Sequence, residues 1–67
     1  MKTVVKQKIV KLKTKWRGII TLSYNTTIHF TMSKKWGWQQ WGAPADDLWV
    51  SQPIIEKIWQ EYLAEQL

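Results

Sequence analysis

Lys11, Lys13, Lys15 and Arg17 occupy alternate positions of one short run. Cations repeated at that interval fall on one face of an extended strand, where they can pair with the oxygens of a phosphate backbone. A second cluster follows in Lys34-Lys35-Trp36-Gly37-Trp38-Gln39-Gln40-Trp41-Gly42, with three tryptophans in six residues. Indole faces exposed beside cations suit single-stranded nucleic acid, because bases stack on the rings while the charges follow the backbone. The same side chains suit a protein interface, where Trp is enriched at binding hot spots. One or two of these indoles are expected to fold back and close a small core. Earlier in the chain, Trp16-Arg17-Gly18 sets an aromatic and a cation next to Lys15. It reads as a wedge or stacking site for a base, or as a corner tryptophan covering the sheet end, with Gly18 relieving a twist. Thr21, Ser23, Thr27 and Thr31 add hydroxyls able to donate to phosphate oxygens.

Enzyme chemistry finds no foothold in these residues. The chain has no Cys, which removes disulfides, thiolate metal ligands and cysteine nucleophiles. His29 is its single histidine, with no Ser, Cys or acid set beside it by sequence. It is expected on the polar strand face among the candidate binding residues, not in a catalytic or metal role. Asp46-Asp47 reads as a pair of acids in a first helical turn, where they suit the helix dipole. No cofactor or metal is expected.

Charge is distributed in two blocks. Residues 1–45 hold nine Lys and Arg and no acid, giving +9; the rest hold Asp46, Asp47, Glu56, Glu61 and Glu65 against Lys57 alone, giving −4 and a total of +5. Surfaces shaped only for solubility interleave the signs, whereas a one-sign block makes a field that draws in polyanions. DNA or RNA is the first partner class this suggests. Base specificity should be weak, since no helical Arg or Asn cluster is present for major-groove readout. An acidic protein surface would explain the charge as well, making a protein-interaction module, inhibitor or small subunit the alternative. Apolar runs stay far below the roughly 18 residues of a membrane span. The opening Met1-Lys2-Thr3-Val4-Val5-Lys6 lacks the apolar stretch and cleavage site of a signal peptide, so a cytoplasmic location is the default.

A frame must position these side chains, and 67 residues make one small domain, 1–67, near the lower size limit for a core without staples. Six Trp help, since each buried aromatic covers roughly 150–250 Å². Thr3 to Thr14 reads as strand, with Val10 and Leu12 alternating with Lys11, Lys13 and Lys15. Val4, Val5 and Ile9 fall out of that register, so a bulge or bend is expected near Ile9-Val10. Lys6 and Lys8 read as edge protection. From Trp16 to Tyr24, Ile20, Leu22 and Tyr24 take one face and Arg17, Ile19, Thr21 and Ser23 the other. After a turn at Asn25-Thr26, Ile28, Phe30 and Met32 alternate with Thr27, His29, Thr31 and Ser33, completing a hairpin.

Gly42-Ala43-Pro44 is a breaker, and Ala45 to Val50 fits a single helical turn. Ile54, Ile55, Ile58, Trp59, Tyr62 and Leu63 then recur at helical spacing, opposite Glu56, Lys57, Gln60, Glu61 and Glu65. Ser51 is the expected N-cap, with Pro53 in the first turn. The expected fold is α+β: a three-stranded antiparallel sheet over 1–33, a Trp-rich connection over 34–52, and a C-terminal helix over 53–66 across the apolar face. The architecture would be small and barrel-like or chromodomain-like. The apolar stripe of the helix looks broader than three strands can cover, so a homodimer is a further expectation.

The run Lys11-Leu12-Lys13-Thr14-Lys15-Trp16-Arg17, the alternating Ile20-Thr21-Leu22-Ser23-Tyr24 and the amphipathic helix after Val50-Ser51 resemble the seven-kilodalton archaeal chromatin proteins. The order of strands then helix is similar to small chromodomain-type folds. The resemblance covers about a third of the chain and implies a basic three-stranded sheet set on DNA; the Trp-rich segment and its Gln residues depart from it.

Overall fold

Strand and helix divide the chain at Gly42-Ala43-Pro44. In the computed structural model, which describes residues 2–67, strands β1 (Val4–Lys11), β2 (Lys15–Leu22), β3 (Thr26–Ser33) and β4 (Gly37–Trp41) precede one helix, α1 (Ala45–Glu65). The strands neighbour one another in chain order and pair antiparallel, so the sheet is a meander with α1 packed on one face. The class is α+β as expected, with a fourth strand where a connection was expected. Trp38 and Gln40 of β4 point to the helix side and Gln39 and Trp41 away from it, in register with β3 from Ser33↔Gly37 to His29↔Trp41. A polar residue at an inward position masks the period-two pattern.

Trp16, Ile20 and Leu22 of β2, Ile28, Phe30 and Met32 of β3, and Ile55, Ile58 and Tyr62 of α1 form the buried core. Each large apolar side chain buried this way contributes about 1.5–3 kcal/mol. Of the helix stripe, Ile55, Ile58 and Tyr62 are buried within one chain, while Ile54, Trp59 and Leu63 are partly buried against the same core. Among the described residues, no helix is long and apolar enough to cross a membrane.

Local geometry departs from the expected pattern at several points. The bulge lies between Val4 and Lys6, not at Ile9-Val10, and leaves Val5 63% exposed. Its extra residue lets Val4 and Ile9 both reach the helix side despite their odd spacing. β1 ends at Lys11, and Leu12 to Thr14 is a turn closed by the Leu12 N–H on the Lys15 carbonyl at 3.0 Å. The second turn is a 3₁₀ segment, Ser23–Asn25, with Tyr24 and Asn25 at φ 64° and 61°. That left-handed geometry swings Tyr24 off the apolar face into solvent and takes Ser23 off the opposite face, where its hydroxyl accepts from the Thr3 N–H at 3.2 Å.

The helix starts at Ala45, so the expected isolated turn is its beginning. The Pro44 carbonyl accepts from the Asp47 and Leu48 N–H groups at 3.0 and 3.1 Å, in place of a Ser51 cap. Ser51 is instead fully buried mid-helix, and its hydroxyl lies 2.5 Å from Gln40 Oε1 and 3.1 Å from the Leu48 carbonyl. Gln40 Nε2 donates to the same carbonyl at 3.2 Å, so the inward polar residue of β4 has its partners on α1. Pro53 sits inside the helix on its exposed side, where solvent can meet the Trp49 carbonyl that proline leaves unpaired. Lys2 pairs with Asp47 at 2.8 Å and Lys11 with Glu65 at 3.3 Å, so α1 runs from the Lys2 end of β1 to its Lys11 end.

Candidate nucleic-acid interface

Among the described residues, no other element covers the face of the sheet turned away from α1. Cross-strand pairing arranges its side chains in four rows. Lys6, Thr21 and Thr27 form one; Lys8, Ile19, His29 and Trp41 the next; then Val10, Arg17, Thr31 and Gln39; and finally Lys15, Ser33 and Gly37. Every row carries one Lys or Arg, and successive rows are about 7 Å apart, two residues along a strand. The four cations all stand on β1 and β2. The β3 and β4 half carries hydroxyls, an amide and two aromatic rings.

His29 and Trp41, directly opposed across β3 and β4, stack at 6.0 Å between centroids with an 18° angle between planes. Trp41 stays 46% exposed on an edge strand. Gly42 admits this arrangement: its φ of 99° turns the chain sharply, and a Cβ there would lie 3.0 Å from His29 Cδ2. Around the stacked pair, Lys8, Val10, Arg17, Ile19 and Thr31 border a shallow depression of about 520 Å³. A second depression, sharing Lys15 and Thr31, continues to the β3–β4 turn, where Trp36 is 71% exposed and Lys35 Nζ lies 5.1 Å from its ring.

Tyr62 holds the turns at this end of the sheet. Its buried hydroxyl donates to the Thr14 carbonyl at 2.6 Å and accepts from the Lys34 N–H at 2.9 Å. The β1–β2 turn with Lys13 and the β3–β4 turn with Lys34 and Lys35 are therefore fixed to one point on the helix. The ring is itself clasped by Trp16, edge-on at 5.3 Å, and by Trp59, stacked at 5.4 Å.

Of the residues singled out from sequence, Lys15, Arg17 and His29 lie on this face, and Lys34, Lys35 and Trp36 border it. Lys13 is exposed in its turn beyond the strand ends. Three are placed elsewhere. Lys11 pairs opposite Trp16 on the helix side, 4.5 Å over its ring and bonded to Glu65. Trp16 is 2% exposed in the core, closed off from any base. Trp38 packs against the same core and does not share a face with Trp36, which belongs to the turn. Sequence reasoning passed over Lys6 and Lys8 as mere edge protection and, within the Trp-rich cluster, did not single out Trp41. The bulge at Val5 offsets Val4 from the regular pairing that runs from Lys6 to Lys11 and puts Lys6 and Lys8 on the open face, and strict alternation from Gly37 is the signal that pairs Trp41 with Gln39.

All five acids lie on α1, so the open face carries no carboxylate. Among the described residues, no three His, Asp or Glu side chains gather as a metal site. Such a surface can bind an extended anion through several weak contacts, and it offers flat rings for stacking. No protein-family model, curated protein or solved structure matches the chain.

Proposed function

We propose that this chain is a small, non-enzymatic nucleic-acid-binding module that holds a phosphate backbone on the open sheet face with little base specificity. The observation that carries this reading is the set Lys6, Lys8, Lys15 and Arg17 on a face without a single carboxylate. Thr21, Thr27 and Thr31 supply neutral donors between the cations, and Trp41 and Trp36 supply the aromatic surface. Lys34 and Lys35 extend the positive rim.

Titration with labelled oligonucleotides, read by Trp emission and anisotropy, tests it. With four phosphate contacts, affinity should fall roughly fiftyfold to 150-fold between 50 and 200 mM salt. Absence of binding at low salt by a folded protein would overturn the reading. A protein-interaction module for an acidic partner is the second reading, supported by Trp36 and Trp49, 71% and 68% exposed; capture of an acidic protein without nucleic-acid binding would favour it.

A further inference from the structure

Building on the nucleic-acid reading, we infer that the open face takes a single strand rather than a duplex. The strand lies along the β-strands, with its phosphates over β1–β2 and its bases over β3–β4.

The asymmetry of the face carries the inference. Lys6, Lys8, Arg17 and Lys15 advance one per row along one half, as successive phosphates of an extended strand do. The other half has no Lys or Arg within its strands, and its centre is the stacked His29–Trp41 pair. A duplex presents phosphates on both rims of a groove and shows only the edges of its bases. Laid on this face, one rim would meet a row of cations, while the other would lie over the His29 and Trp41 rings and meet Lys34 and Lys35 only at the β3–β4 turn, leaving most of its phosphates dehydrated without a partner. A single strand has the matching asymmetry: charge along one side and unstacked base faces along the other. Trp41, with His29 on one side of its ring and no further strand beyond β4, has room for a base against its outer side. Four rows about 7 Å apart correspond to a footprint of about four nucleotides, the low end for single-strand sites.

The test compares three labelled probes of equal length by anisotropy at low salt: a mixed-sequence single strand, its duplex, and a single strand of abasic sugar-phosphate units. The natural single strand should bind at least about tenfold tighter than either of the others, the factor expected of one stacked base. Trp41→Ala should remove about tenfold from the natural strand and leave the abasic probe unchanged, and Trp41→Phe should restore most of the loss; far-UV circular dichroism checks that both variants fold. Equal affinity for natural and abasic strands, or a duplex bound as tightly as the single strand, would overturn the inference while leaving the nucleic-acid reading standing. Failure of all three probes to bind would overturn both.

Discussion

A methyl group at Gly18 would overlap the Lys8 carbonyl oxygen and meet the edge of the Phe30 ring at 2.7 Å. The glycine lets that ring lie across β2, and the carbonyl belongs to a paired strand that cannot retreat. Gly18→Ala should therefore cost at least about 2 kcal/mol, as overpacking of a filled core does, read from the urea midpoint. Tyr62 is sensitive in the opposite way. Removing its hydroxyl with Tyr62→Phe keeps the aromatic packing but strips partners from the Thr14 carbonyl and the Lys34 N–H. A loss of about 1–3 kcal/mol is expected, with faster amide exchange at Lys34 than at the β2 core amides. Arg17 and His29 were readable from alternation alone, because β2 and β3 pair without a break from Lys15↔Ser33 to Leu22↔Thr26. Lys11 was misread: it ends its strand, and the apparent period through Lys13 and Lys15 runs across a turn.

Two elements decide whether the face is complete, and both were partly hidden. β1 hides its register because an unpaired Val5 shifts the alternation, which no count of apolar residues reveals. β4 hides because its inward partner is an amide, legible only once Ser51 and the Leu48 carbonyl are seen on the facing helix. The helix was legible from Ile54 onward, since its stripe is apolar there. Its first turn was expected separately over Ala45 to Val50, and what stayed hidden was its continuity with the stripe, because Ser51 is a buried mid-helix residue and not a cap. The Gln40 contacts tie β4 to α1, and β4 brings Trp41 to the face. Gln40→Leu should lower stability by about 1–3 kcal/mol and raise amide exchange in β4 ahead of β2 and β3; uniform exchange across the sheet would show that the amide does not anchor the strand.

Charge divides between the two layers as it divides along the chain, with five acids on α1 and four cations on the far side of the sheet. Arg17→Glu and Lys57→Glu change the net charge equally, one on the open face and the other on α1. The first should weaken oligonucleotide binding by more than about tenfold and flatten the salt slope by about one phosphate contact. The second should change affinity by less than about twofold. Equal effects would mean that total charge alone governs attraction. The layered arrangement also makes the protein an electric dipole set normal to its sheet. On the proposed reading, the net charge of +5 supplies the pull toward a polyanion, and within about 8–10 Å, the screening distance near physiological salt, the polyanion's field would exert a torque on this dipole that turns the sheet forward and the helix away. Orientation would then be biased before contact, and a larger share of collisions with a nucleic acid is expected to arrive face-on.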